Sequence, residues 1–244
     1  MGSDDLFKKQ KVNNNKKNKE RKKEFKESIL IVCEGEKTEP NYFKSFPKSG
    51  VEVKIIGEGK NTNSLVDAAI EHWEVLAEDD YYYENMYIVM DRDSFNTENY
   101  NKSFKIVENF IKKVNSKKKY KHKLSSDFKA SIIYTNESFE LWYLLHYDYY
   151  NSAIARDKYK ELLDKKMNID YEKKSNNIYN ILKNITDKNK GLQFAINNAI
   201  KLRKKNKPQD NPSTNVDILV KELICRYLKL TKTECNSKND FNYL

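Results

Sequence analysis

Residues 29–40 read Ile-Leu-Ile-Val-Cys-Glu-Gly-Glu-Lys-Thr-Glu-Pro. An unbroken apolar run, Ile29–Cys33, describes a strand covered on both faces, as in a parallel sheet. The run stops abruptly on Glu34-Gly35-Glu36, with Glu39 close behind. Gly35 lets the chain turn sharply, so the Glu34 carboxylate projects from the sheet edge. A second apolar run, Tyr87–Met90, stops in the same way on Asp91-Arg92-Asp93. In an open parallel α/β sheet, sites form at the carboxyl ends of the strands. Hard divalent cations such as Mg²⁺ (or Mn²⁺) take carboxylate oxygens there, shared with phosphates and water.

Outward from these runs, strand-like and helix-like segments alternate. Val51–Ile56 and Ser131–Tyr134 read as further strands. Thr62, Asn63 and Ser64 offer caps for a helix through Leu65, Ala68, Ala69, His72, Trp73 and Leu76, and Phe104, Val107, Phe110, Ile111 and Val114 mark another. A short helical turn opened by proline spans Pro40–Phe46, and a helical segment runs from Glu137 to Tyr147. Such alternation predicts a parallel α/β sheet flanked by helices. Residues 156–230 read as helices only, the last of them, Val216–Leu228, strongly amphipathic. The expected organisation is therefore a basic tail at 1–27, an α/β domain at 28–150 and a helical extension at 151–244.

The chain has 244 residues and a net charge of +10. Residues 1–26 carry ten Lys/Arg against four Asp/Glu, with few apolar positions; such a tail is expected to stay disordered until bound. Residues 112–123 add seven Lys without an acid, including Lys117, Lys118 and Lys119, and residues 201–207 add five Lys/Arg. Basic clusters around an acidic site point to a polyanionic partner, most simply a nucleic acid, although a lysine-rich surface can also serve only solvation. Cys33, Cys225 and Cys235 show no metal-type spacing and form an odd set, which reads as free thiols in a reducing cytosol. No apolar stretch approaches a membrane span and no signal-peptide core follows the basic start, so a cytoplasmic protein without a membrane is expected.

A strand ending in Glu34, Glu36 and Glu39 is electrostatically costly unless a cation neutralises it. Asp91 and Asp93, placed directly after a strand, suit a metal ion bridging to phosphate. Lys37 and Arg92 lie inside these acidic loops, where they contact phosphate or balance the acids. In 137–147, Ser138, Glu140 and His146 sit among Phe139, Leu141, Trp142, Leu144 and Leu145. A histidine there can protonate a leaving oxygen, or it can simply satisfy a backbone group in a buried helix. Asn211-Pro212-Ser213-Thr214 opens the last helix, and its Ser213 and Thr214 hydroxyls can bind a phosphate or merely start the helix. His72 and His122 read as surface or core residues.

Glu-Gly after a first strand and Asp-x-Asp after a third together resemble the Toprim fold of topoisomerases, primases and OLD-type nucleases. The wider set is similar to the RloB-like family: residues 31–43 (Ile-Val-Cys-Glu-Gly-Glu-Lys-Thr-Glu-Pro-Asn-Tyr-Phe), Asp91-Arg92-Asp93, the segment Asn136–His146, and Asn211–Thr214. This resemblance implies a Toprim-like, Rossmann-like α/β fold and a metal-dependent nuclease in a bacterial anti-phage or abortive-infection system, often beside an AAA-type ATPase. It matches Glu34 to the Toprim glutamate and Asp91 and Asp93 to metal-binding aspartates, with Glu36 and Glu39 in the family's own acidic loop. Either Glu34 or Glu36 is the acting residue. The expected reaction is metal-dependent phosphodiester cleavage of RNA, such as tRNA, or of DNA, and a homo-oligomer is compatible with it. Two competitors remain: nucleotidyl transfer on the same acids, and a catalytically idle scaffold for the ATPase.

Overall fold

The computed structural model describes residues 28–47, 51–59, 62–92, 97–173, 177–187 and 190–237. The basic tail at 1–27 and Asp93 lie outside them. Four parallel strands, β1 (Ser28–Cys33), β2 (Glu52–Gly57), β3 (Asn85–Asp91) and β4 (Lys129–Asn136), form the sheet in the order β2-β1-β3-β4. The fold is α/β with a five-stranded central sheet flanked by helices, as the alternation predicts.

β1 is buried along its whole length because each face meets a different apolar layer. Ile29, Ile31 and Cys33 enter one cluster, and Leu30 and Val32 enter the other, the period of two that a pleated strand imposes. The second layer is covered by α2 (Thr62–Glu78), α3 (Thr97–Ser116) and the short α4 (Lys118–Lys121). It centres on Trp73, whose Nε1 donates to the Tyr83 carbonyl at 2.9 Å and whose ring meets Phe110, Tyr120 and Phe128 edge-on or tilted. The first layer is built from α1 (Thr38–Lys44), α5 (Glu140–Leu144), α6 (Lys158–Met167), α7 (Ile178–Lys183), α8 (Leu192–Lys205) and α9 (Val216–Tyr227). There Trp142 is fully buried and its Nε1 donates to the Tyr42 hydroxyl at 2.7 Å. Residues from both sides of position 150 share this one cluster, so the helical extension packs into the α/β core.

The structure corrects three expectations. Residues 156–230 are not helical throughout: Ser213–Thr214 form β5, antiparallel to β4, so the sheet is mixed at that edge. Asn215 lengthens this two-residue ladder with its side chain. Its Oδ1 accepts from the Tyr134 amide at 2.6 Å and its Nδ2 donates to the Ile132 carbonyl at 3.0 Å. The helix expected over 137–147 is regular only at α5, with turns on either side. Finally, Cys225 and Cys235 are disulfide-bonded between α9 and α10 (Lys232–Ser237), where the chain doubles back and brings the two Cα atoms to 5.6 Å. Cys33 alone is free, and it is buried. The three-free-thiol argument for a reducing compartment falls with that pair. Among the described residues, no helix is long and apolar enough to cross a membrane.

Because Asn215 satisfies two main-chain groups of a buried strand, its loss strands a donor and an acceptor at once. Asn215→Ala should cost about 2–4 kcal/mol in chemical denaturation, with an unfilled donor or acceptor worth roughly 1–3 kcal/mol each. A cost below ~1 kcal/mol would show that this edge does not hold β4.

Candidate functional site: an acidic cluster at the carboxyl edge of the sheet

β1 lies between β2 and β3, so the chain leaves β1 toward one side of the sheet and later returns on the other. Doubly wound sheets place their crevice at this switch point, outside the carboxyl ends of the two central strands. Here those ends carry Glu34 and Asp91. Their backbones interlock, the Glu34 amide donating to the Val89 carbonyl at 2.8 Å. The side chain closes the link: Glu34 Oε2 accepts from the Asp91 amide at 3.1 Å. Glu39, in the first turn of α1, is buried and folds back over Gly35. A Cβ at Gly35 would collide with the Glu39 carboxylate, so a side chain there would push that carboxylate from its place. That carboxylate accepts from the amides of Gly35 and of Glu39 itself. Glu36 and Lys37 are exposed. Glu36 lies against Gly59, a positive-φ residue two positions beyond the end of β2, where a Cβ would come within 2.9 Å of Glu36 Oε1.

A fourth acid arrives from the segment after β4. Glu140 is only 2% exposed. It accepts a hydroxyl hydrogen bond from Ser138, another from Tyr171 at 3.2 Å, and an ion pair from Lys173 at 3.1 Å. Asp91 is 7% exposed. Its Oδ2 pairs with Arg156 Nη2 at 3.2 Å, while Oδ1 has no hydrogen-bond partner among the described residues. Burial pushes the Asp91 carboxyl well above the usual carboxylate range; Glu39, Glu140 and Glu34 push it further, and Arg156 opposes them. The Glu39 carboxyl is also raised, by burial first and then by Glu140, against its amide donors and Lys173. Tyr171 is raised by burial and by Glu140, Glu39 and Asp91, so its hydroxyl stays protonated and serves as a donor.

A family model described as RloB-like protein matches residues 29–223, from β1 into α9. The chain belongs to the RloB-like family. No curated protein and no solved structure matches it.

Within this RloB-like core the structure brings together Glu34, Glu39, Asp91 and Glu140, and separates them from several other expected residues. Arg92 is 7% exposed; its amide donates to the Thr135 carbonyl at 2.7 Å and its guanidinium lies 4.6 Å from the centre of the Tyr100 ring. It is a buried cation stacked on an aromatic ring, and a phosphate contact would have to reach it below the surface. His146 is 1% exposed, and its Nδ1 donates to the Trp142 carbonyl at 2.9 Å. Burial lowers its pKa to about 4, so at neutral pH it is an uncharged core residue and the proton-donor role does not fit. Ser213 and Thr214 are 0% exposed and belong to β5. Thr214 Oγ1 donates to the Tyr134 carbonyl at 3.1 Å, and the Ser213 hydroxyl is buried without a hydrogen-bond partner among the described residues, so neither is open to a phosphate at the surface.

The lysines of 112–123 sit at the other edge. Asn115 is tied to Phe128, and the Lys129 amide donates to Glu84 beside the start of β3. Lys117, Lys118 and Lys119 therefore lie a strand length, roughly 20 Å for seven residues, from the acids. Sequence reasoning missed Arg156, Lys173 and Tyr171. Each stands alone in a loop beside α6 with no spacing to announce it, and each meets an acid only because α6 packs across the carboxyl edge. Asp164 helps to place that segment: its carboxylate takes the Tyr171 amide and pairs with Lys160.

Among the described residues, no group of three or more His, Cys, Asp or Glu converges as a ready-made metal site. The donor chemistry nevertheless fits a hard cation, since Asp91 Oδ1 is buried without a partner and its neighbouring acids repel it.

The raised Asp91 pKa means that folding penalises its charged form, so the stability this carboxyl contributes is lost as pH rises. Asp91→Asn should then melt higher than wild type at pH 7.5 in chelator, by roughly 3 °C, the shift that ~1 kcal/mol gives in a chain of this size. A lower melting temperature would mean that the Arg156 pair outweighs the repulsion. His146 has the opposite sign. Its depressed pKa means that the unfolded chain takes up the proton first, so the stability it gives above pH 6.5 is lost as pH falls to about 4. The wild-type advantage over His146→Leu should shrink by roughly 3 kcal/mol between pH 7 and pH 4, read by urea denaturation; an unchanged difference would contradict the buried, neutral imidazole.

Proposed function

We propose that this RloB-like chain is a Mg²⁺- or Mn²⁺-dependent nuclease that cleaves RNA, such as tRNA, or DNA, as the cytoplasmic effector of a bacterial anti-phage system with an AAA-type ATPase partner. The observation that carries the reading is the Glu34–Asp91 link at the switch point, with Asp91 Oδ1 buried and unpartnered beside Glu39 and Glu140. Asp91 and Glu34, with Asp93 from outside the described residues, would hold the ion. Bound there, a divalent cation would supply an activated water and offset charge developing on a phosphate.

The chain's own residues account for the rest. Glu34 holds the Asp91 amide and so fixes the direction in which the Asp91 carboxylate leaves the strand. Glu39 is held over Gly35 by amide donors, which fixes the position of its carboxyl group at the mouth of α1. Ser138, Tyr171 and Lys173 hold Glu140 in one orientation. Lys37 is exposed beside this edge, where its ammonium could meet a phosphate, and the exposed Glu36 adds a further carboxylate there. The competing reading, an idle scaffold for the ATPase, draws on the ion pairs at Asp91 and Glu140: if permanent, they leave no opening for a metal.

The two readings part on one experiment. Cells expressing wild type or an Asp91→Ala/Asp93→Ala variant, each with the ATPase partner, are challenged with phage, and RNA and DNA ends are sequenced. The nuclease reading expects new metal-dependent ends and phage protection from wild type, with both lost in a variant that still folds and binds its partner. Protection that survives the substitutions supports the scaffold.

A further inference from the structure

The acids at the carboxyl edge are buried, yet the cations that pair with them are not. Arg156 is 42% exposed and Lys173 57% exposed, against 10% for the Asp91 side chain and 2% for that of Glu140. Both cations flank α6, Arg156 just before its first residue and Lys173 beyond its last. A long side chain that reaches from solvent onto a buried carboxylate bears two opposing costs: the conformational entropy of being held and the screening at its wet end. Such a pair exchanges readily. The acid beneath it does not: Asp91 is anchored through the strand and keeps Oδ1 without a partner. The site therefore holds an anchored carboxyl group under a solvent-exposed cation, at the place where a divalent ion would bind.

We propose that Arg156 is a resident counter-ion that keeps the acidic site closed, and that a divalent cation displaces it onto a phosphate of the incoming nucleic acid. The inference rests on the nuclease reading for the nature of the ligand. No covalent bond is made or broken: one cation would replace another at the Asp91 carboxylate, and the guanidinium turns outward with its charge intact. Arginine suits the second role, because its planar fork pairs with two phosphate oxygens at once. The exchange also couples the two ligands. Nucleic acid without metal must compete with Asp91 for the guanidinium, and a metal at Asp91 removes that competition, so each ligand favours the other.

The test uses the full chain stripped of metal by chelator. Mn²⁺ binding is measured by calorimetry for wild type, Arg156→Ala, Arg156→Lys and Asp91→Ala. Binding of labelled single-stranded RNA, and of DNA of the same sequence, is measured in Ca²⁺ over a series of salt concentrations. Removal of the competing charge should tighten Mn²⁺ binding roughly two- to fivefold in Arg156→Ala, the range expected for a half-exposed ion pair. Arg156→Lys, which keeps the charge, should stay near wild type for Mn²⁺. For whichever nucleic acid wild type prefers, Arg156→Ala should bind several-fold more weakly, and its log–log salt slope should fall by about one. Mn²⁺ binding that is unchanged or weakened in Arg156→Ala overturns the proposal, as does an unchanged nucleic-acid salt slope. Should Arg156→Ala lose its melting transition, Arg156→Gln carries the same measurements. The two readings fail separately: exchange at Arg156 without any strand cleavage sinks the nuclease alone, and cleavage with an inert Arg156 sinks the latch alone. Absence of Mn²⁺ binding in both wild type and Arg156→Ala sinks both.

Discussion

Glu34, Glu39, Asp91 and Glu140 lie within electrostatic reach of one another near one edge of the sheet, most of them out of reach of water, and their mutual repulsion is the constraint under which the surrounding structure is arranged. Burial raises the Asp91 and Glu39 carboxyls above the usual carboxylate range, and the neighbouring acids raise them further. The structure offsets this with donors in several forms. Backbone amides serve Glu34 and Glu39. Hydroxyls of Ser138 and Tyr171 serve Glu140, and exposed cations cover Asp91 and Glu140. One oxygen of Asp91 is left over, which is the chemical opening on which the functional reading stands.

The helical extension has two jobs in this arrangement. Its helices complete an apolar layer begun by α1 and one face of the strands, so that Ile29 and Val220 belong to the same cluster. It also brings Arg156, Tyr171 and Lys173 over the acids. Without it, one sheet face and the carboxyl edge would both stand open. β5 and Asn215 fasten the extension to the sheet by main-chain pairing, while Asp217 receives both guanidinium nitrogens of Arg203 from α8. Buried polar residues near β5 thus serve the join between the two parts.

Much of this was legible along the chain. Apolar runs that stop on acids announced β1 and β3, and helical spacing announced α2 and α3, because each rests on short-range periodicity that a pleated strand or a helix imposes directly. Glu34 and Asp91 could be named for the same reason: a strand end is a local feature. β5 was illegible, since two residues have no period and its pairing partner lies far away in the sequence. His146, Ser213 and Thr214 carried chemistry that suits a site, and burial among Trp142, Tyr134 and Asn215 assigned them to the core. The lysines of 112–123 were read correctly as a basic run, but α3 carries them to the opposite edge of the sheet.

The sequence by itself determined the α/β class, the order of the principal strands and helices, and which strand ends carry acids, because hydrophobic periodicity and chain direction act within a few residues. Only the tertiary structure decided that β1 and β3 are neighbours, that Glu140 joins the acids, and that Arg156 and Lys173 cover them. It also decided that Cys225 pairs with Cys235. Those facts depend on which distant segments share a surface, and that is set by how two apolar layers close on the sheet.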